Sequence, residues 1–288
     1  MTVAGAWRSD VASRLTIAVT IIAAMPDTAT FYEDAYREPD PERAATYARW
    51  RALSAEGKAE HVVDLCARAG IAPASTLDVG CGDGALLSEL HRRRFGGRLA
   101  GAEISAAAAA LAAQRPGIES VARFDGARLP APDGAYDLGI LSHVLEHVED
   151  PAALLREVAR VCGAVVFEVP LEANLSAARM GKRTHAAGIG HLQRFDRARA
   201  RRLAERAGLA IAFELTDPLP LRVQLFFATT ARARAVAGAK WALRASLHGL
   251  ARPLALGLFT VHYACLCEAP PAERRSRRRA SPAPAPGG

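Results

Sequence analysis

Three alternate glycines stand in Leu77-Asp78-Val79-Gly80-Cys81-Gly82-Asp83-Gly84, directly after a short apolar run. Glycine is needed where backbone turns with positive φ, or where it must approach a ligand with no Cβ in the way. A turn of this kind between a strand and a helix lies where open α/β sheets bind ligands. Glu103 follows the next apolar run, 23 residues after Gly80, where a carboxylate can accept from two ribose hydroxyls. Asp125, followed by Gly126, stands after a third run and can accept from an adenine amino group. Each acid taken alone reads equally as a solvated turn or a helix cap. Placed at successive strand ends beside the glycine turn, they read as ligands of a nucleoside.

The spacing is G-x-G-x-G, one residue short of the G-x-G-x-x-G that seats a pyrophosphate on a helix N-terminus. Asp78 and Asp83 set carboxylates round the turn, and carboxylates repel a pyrophosphate. A donor with an ammonium and a sulfonium but no phosphate fits that charge pattern, which describes S-adenosylmethionine. Displacement at its methyl carbon needs an acceptor held in line and water kept out. A hydroxyl acceptor also needs a base, and histidine has the ordinary pKa for that work. His143, just past a fourth apolar run, and His191, in THAAGIGHLQRF beside His185, are the two candidates. His143 could instead orient substrate or backbone, and His191 could be a helix-start residue bonded to backbone. His147 and Glu146 read as loop-stabilising, and His262, inside an apolar run, as structural. Glu172 suits either a polar acceptor or an ion pair with Lys182 or Arg183.

These residues need a scaffold of alternating strands and helices, and the chain supplies it. Residues 41–69 read as helix in two pieces, stopped by Gly70. Strands are expected at 76–79, 98–102, up to about 124, 136–141 and 163–169. Helices are expected at 85–94, after the N-cap Ser105, and after Asp150-Pro151. Short apolar strands alternating with capped helices predict a doubly wound, mostly parallel α/β sheet covered on both faces. Leu171 to Gln193 is a long connection of the kind that forms lids or substrate loops. Helix is expected at 196–207, strand at 209–215, amphipathic helix at 232–258 and a final strand at 261–267, with 223–228 ambiguous.

The segments LDVGCGDG (77–84), AEIS (102–105), RFDGARLP (123–130), YDLGILSHVLEHVEDPAALLREVARV (136–161) and VVFEVPLEANL (165–175) together resemble class I S-adenosylmethionine-dependent methyltransferases. The similarity is to the branch of small-molecule enzymes that includes ubiquinone biosynthesis, and it covers about residues 60–215. It implies a seven-stranded Rossmann-like sheet whose last strand is antiparallel. It also implies that Asp78, Gly80, Cys81, Gly82 and Gly84 hold the methionine part and Glu103, with Ile104, the ribose. Asp125 and Gly126 would meet the base, and Leu141 and Ser142 would line the pocket. The implied activity is methyl transfer to a small or medium acceptor, at a hydroxyl of a sugar, glycolipid, quinone precursor or other secondary metabolite. Helical sequence at about 229–259, between the last two strands, departs from the family pattern and predicts a cap or contact surface at that edge.

Composition narrows the rest. With 288 residues, half of them hydrophobic, the chain can bury a large core. Five scattered cysteines fit a reducing, cytoplasmic setting, and their spacing predicts no metal site. The net charge of +7 is concentrated in a Pro/Arg-rich tail, residues 270–288, expected to be disordered. Counts of 34 arginines against 3 lysines and 63 alanines match a compositional bias without a nucleic-acid partner. Residues 1–40 read as an N-terminal arm. Their ten-residue apolar run, Leu15–Ala24, is too short to cross a bilayer, and Met25 is an alternative start. The domain proper is expected at 41–269. Two other readings stay open: a nucleic-acid or protein methyltransferase using the basic tail, and a nicotinamide-dependent oxidoreductase, which the glycine spacing opposes. A small-molecule acceptor, no strong nucleic-acid signal and no transmembrane span complete the expectation.

Overall fold

The computed structural model describes residues 28–178 and 190–268, so the expectations for His185, Lys182, Arg183, the Met25 start and the basic tail lie outside the described residues. The chain enters through α1 (Thr28–Tyr36) and α2 (Pro41–Ala69). The latter is one unbroken helix of 29 residues rather than two pieces. Asp40 caps its start by accepting from the Glu42 and Arg43 amides, and Gly70 ends it in the left-handed conformation, φ 66°. Nothing between breaks the hydrogen-bond ladder, because the region contains neither an internal proline nor a stop signal.

Alternation follows: β1 (Ser75–Val79), α3 (Ala85–Arg92), β2 (Arg98–Glu103), α4 (Ala106–Ala113), β3 (Ile118–Arg123) and β4 (Tyr136–Ser142). A single 3-10 turn (Leu145–His147) leads to α5 (Pro151–Val161), β5 (Cys162–Pro170), α6 (Arg197–Arg206) and β6 (Ala210–Asp217). The seven strands are ordered β3-β2-β1-β4-β5-β7-β6, with β7 (His262–Glu268) antiparallel to both β5 and β6. The remaining strands on the β3 side run parallel. This is the doubly wound sheet the alternation predicts, with the seven strands and antiparallel last strand that the resemblance implies.

Between β6 and β7 lie α7 (Leu221–Leu225), α8 (Ala231–Leu250) and α9 (Arg252–Leu258). The helix expected at 232–258 is therefore two. Ala251 is the junction, and Pro253 sits in the first turn of α9, where its missing amide costs nothing. The ambiguous stretch 223–228 begins in the short α7. Helix α8 buries no residue, so this insertion stands on the sheet's edge rather than in its core.

The sheet divides the core. One face packs Val79, Leu141, Val165, Phe167, Val169, Tyr263 and Cys265 against α5 and α6. The opposite face packs Leu138, Ile140, Val166, Ala264 and Leu266 beneath α2 and α3. Strict alternation along β5 puts Glu168 on this second face, in a strand whose other inward residues are apolar. A carboxylate placed there must find partners, because burying an unpaired charge costs several kcal/mol or more.

Candidate functional site

The glycine turn leaves β1 with Gly80 at φ 74°, Gly82 at φ 56° and Gly84 at φ 76°. Close approach also requires glycine here. A Cβ on Gly80 would sit 2.6 Å from Val144 Cγ2, and one on Gly82 would strike the Tyr36 hydroxyl. Glu103 ties the turn to the end of β2. The Gly82 amide donates to its Oε2 at 2.8 Å and the Ser105 amide to its Oε1 at 2.9 Å. A carboxylate has about four acceptor positions, so two remain for diol hydroxyls.

Asp78 is 3% exposed, and burial pushes its pKa up to about 7, with Glu103 adding to the rise and the Lys58 charge opposing it. Asp83 plays a different part from the one its position in the motif indicates. Arg51 and Arg115 each donate to its Oδ2 at 2.9 Å, and Arg115 also donates to its backbone carbonyl. Of the acids around the turn, Asp83 is therefore the one neutralised by two arginines.

Cys81 and Leu141 are buried, Cys81 with its sulfur packed over Gly101 and Leu141 fully enclosed in the core. Only their backbones can border a ligand. Ser142 is half-buried, and its hydroxyl oxygen is enclosed with no partner among the described residues. Asp125 is exposed, and its Oδ1 accepts from the Ala127 and Arg128 amides at 2.8 Å, which lowers its pKa. Gly126 adopts φ 87° beside Ile104.

Helix α1, within the N-terminal arm expected at 1–40, lies across this crevice. Glu33 Oε2 accepts from Ser105 Oγ at 2.9 Å and from the Ala107 amide at 3.2 Å, the free donors at the start of α4. Tyr36 is held under the Arg51 guanidinium, 4.9 Å from its ring centre. Tyr32 reaches the other side of the crevice, where its ring meets that of His147 edge-on at 5.5 Å.

Beyond the turn, the ends of β4, β5 and β7 gather histidines and carboxylates. The β5–β7 register sets Pro170 opposite His262, and the β6–β7 register sets Asp217 opposite the same residue. Around Glu168 converge His61 Nδ1 at 3.0 Å, His143 Nε2 at 3.1 Å and His262 Nδ1 at 2.8 Å. These three donors outweigh the burial of Glu168 and hold its pKa well below the ordinary carboxylate range. His61 also meets Asp217 at 3.3 Å, and although burial opposes its charge, the two acids raise its pKa to about 10.

His143 is the residue that most changes on seeing the structure. Its backbone is left-handed, φ 59°, an uncommon conformation outside glycine and a strained one. Its Nδ1 meets Glu146 Oε1 at 3.0 Å and its Nε2 meets Glu168 Oε1 at 3.1 Å. Ionised carboxylates only accept, so both ring nitrogens carry protons. Burial disfavours that charge, but the two acids raise its pKa nonetheless. A doubly protonated imidazole has no lone pair with which to take a proton.

His191 is arranged differently. Its Nδ1 donates to Glu172 Oε2 at 2.7 Å, so in the neutral ring Nε2 is the lone-pair atom. Glu172 thus pairs with a histidine, while Lys182 and Arg183, the cations weighed as its partners, lie outside the described residues. His147 Nδ1 donates to the Gly190 carbonyl at 3.0 Å, and burial lowers its pKa, so it too is neutral with Nε2 free. The two rings lie 4.8 Å apart.

Sequence reasoning missed His61, Glu168, Asp217, Tyr32 and Tyr36, and took His262 as structural. Only Glu168 carried a signal, as the single acid in an otherwise apolar strand. Among the described residues, two sets of three donors come close enough to hold an ion: His143, Glu168 and His262, and Glu146, His147 and His191.

Strand order, glycine turn and paired acids define an α/β nucleoside-donor fold of the methyltransferase class. Residues 47–212 match the family model described as a methyltransferase domain, more than half of the chain, and the chain belongs to that family. It is a class I S-adenosylmethionine-dependent methyltransferase domain. It is 32% identical over 156 residues to a ubiquinone biosynthesis O-methyltransferase of Sodalis glossinidius (strain morsitans), covering 48% of this chain and 62% of that protein. It is 35% identical over 99 residues to ajmaline N-methyltransferase of Rauvolfia serpentina, 32% of this chain and 33% of that one. The chain thus spans less than two thirds of either curated relative.

The fold matches that of geranyl diphosphate C-methyltransferase from Streptomyces coelicolor A3(2), solved with Mg2+, geranyl-S-thiolodiphosphate and S-adenosyl-L-homocysteine. The TM-score is 0.55 at 18% identity, over 74% of this chain and 76% of that one. No described helix is long and apolar enough to cross a membrane.

Proposed function

We propose that this chain transfers the methyl group of S-adenosylmethionine to an oxygen of a small or medium-sized molecule. The observation that carries this reading is the His191–Glu172 pair at the mouth of the β4–β5 crevice. An oxygen acceptor must lose a proton, and here a carboxylate fixes one imidazole nitrogen as donor and leaves the other free to accept. A nitrogen acceptor that arrives neutral has no such need at the moment of attack. The O-methyltransferase among the relatives is consistent with this choice, and the N-methyltransferase beside it supplies the contrary case.

The donor supplies an activated methyl group when bound. Asp78 and Glu103 offer negative charge to its cationic and diol parts, and Asp125 Oδ2, which accepts from no described residue, is free to meet the base. Helix α1, through Tyr32 and Tyr36, shields the crevice from water. His143, protonated between Glu146 and Glu168, positions the loop after β4. Val144, the next residue, packs on Gly80, so the loop and the glycine turn are coupled. His191 Nε2 takes the hydroxyl proton as the oxygen attacks the methyl carbon in line with the departing sulfur. The insertion α7–α9 at the β6–β7 edge is read as a cap or contact surface for an acceptor larger than a simple phenol, such as a glycolipid or quinone precursor.

The test is a screen of hydroxylated acceptors for release of S-adenosylhomocysteine. Replacing His191 with alanine should lower turnover by about 100- to 10,000-fold and leave cofactor affinity unchanged. Full turnover in that variant with every acceptor would sink the base assignment. Product methylated at nitrogen or carbon would sink the oxygen reading.

A further inference from the structure

Glu146 is 1% exposed, yet only one of its oxygens is used. Oε1 accepts from His143, while Oε2 is enclosed and takes no hydrogen bond from any described residue. Leaving a buried carboxylate oxygen unpartnered is costly, and the cost is unexplained unless something else occupies that position. The Tyr32 hydroxyl nearby is likewise enclosed and unpartnered. Two further imidazoles lie near Glu146: His147, whose Nε2 is 4.0 Å from Oε1, at 15% and His191 at 8% side-chain exposure.

Both imidazoles have their Nδ1 proton spent outward, on the Gly190 carbonyl and on Glu172, so each has its Nε2 lone pair free. One donor atom from each of the three residues lies within 4.8 Å of the others. The outward N–H bonds have the form that orients metal-bound histidines, a carboxylate or a carbonyl on the far nitrogen.

We propose that Glu146, His147 and His191 bind one divalent first-row transition ion, zinc or a close neighbour, with Glu172 and the Gly190 carbonyl orienting the two imidazoles. Two imidazoles and one carboxylate select such ions over magnesium or calcium, which prefer all-oxygen sets. Bond lengths of about 2.0–2.2 Å put tetrahedral ligands about 3.3 Å apart, so side-chain rotation of about an ångström completes the site. Three protein ligands leave a position open, as catalytic rather than structural sites do. The neighbouring set is a poorer site, because Glu168 already accepts from three imidazoles, and His143 and His61 have no lone pair left.

The ion's consequence for catalysis deepens the oxygen-acceptor reading and rests on it, whereas ion binding itself does not. One lone pair cannot serve as base and ligand at once, so with the ion bound His191 is a ligand only, and the base role proposed for it above belongs to the ion-free chain. With the ion bound, the acceptor hydroxyl coordinates it and loses its proton to solvent at lower pKa. The oxygen then bonds to the methyl carbon as the carbon–sulfur bond breaks, and S-adenosylhomocysteine leaves with the electron pair.

The experiment uses the full chain, stripped by a chelator and titrated with Co2+, followed by visible absorption and by metal analysis. One ion per chain is expected, with the intense visible bands of a low-coordinate cobalt site. Glu146→Gln and His147→Ala should each weaken binding by more than about 100-fold, and Glu172→Gln by about 10- to 100-fold. His262→Ala should leave binding unchanged, and retained S-adenosylhomocysteine binding shows that each variant is folded. Absence of stoichiometric Co2+ overturns the site, as does binding abolished by His262→Ala but kept in His147→Ala. If no ion binds while His191→Ala still impairs turnover, this site falls and the base reading stands. If the ion binds but no hydroxyl is methylated, the site stands and the oxygen reading falls.

Discussion

A carboxyl group whose pKa is moved to about 7 responds to small changes of pH in the working range, and Asp78 is such a group. It is buried beneath the glycine turn, with Lys58 and Glu103 as the charges that face it. Raised above its ordinary value, it is neutral below about pH 7 and charged above. A cationic donor favours the charged form. Affinity for S-adenosylmethionine should therefore fall as pH drops from 8 to 6, by up to about tenfold per unit below the pKa. Asp78→Asn should bind more weakly at pH 8 and flatten the profile, as isothermal titration at several pH values would show. An unchanged profile in the variant would remove Asp78 from the donor site. The contrast with Asp83 is instructive at this scale. Five residues apart and similar on paper, one has no ion pair among the described residues and the other is held by two arginines.

At the scale of elements, α1 and the loop after β4 do most to shape the crevice. Helix α1 is anchored by Glu33 at the start of α4 and by Tyr36 beneath Arg51, contacts that close over the glycine turn. A helix of nine residues has little stability of its own and depends on such anchors. Removing residues 1–39 should leave the sheet folded while raising the dissociation rate of S-adenosylhomocysteine by about tenfold or more, since water and ligand then exchange freely. Stopped-flow displacement would measure it, and an unaltered rate would mean that α1 is no cover. The strained backbone of His143 belongs to this scale too, because the turn it makes both seats Val144 on Gly80 and swings Glu146 inward.

Across the whole molecule, Glu168 joins α2, β4, β5 and β7 through three histidines. Glu168→Gln removes the charge that compensates His61 and His143 and should destabilise the fold by about 3–5 kcal/mol in chemical denaturation. A loss below about 1 kcal/mol would show that the cluster relaxes or fills with water. Much of this architecture was legible before any coordinates. Capping residues Ser105, Asp150 and Asp196, the glycine stops and the apolar runs are local signals, and each marks its element to within a residue or two because hydrogen-bond termination is decided locally. The glycine turn and Glu103 were legible for the same reason, since strand–turn–helix geometry depends on neighbours in sequence. The continuity of α2 and the role of α1 were not, because propensity says nothing of what a helix packs against. The histidine cluster lay furthest from view. His61, His143, Glu168, Asp217 and His262 meet only because β7 inserts antiparallel between β5 and β6, and strand register is set by hydrophobic faces distant in sequence. The order of residues along the chain therefore determined the elements and the glycine turn. The partners of these histidines were decided by the sheet, which brings those charges within 3 Å or so of one another.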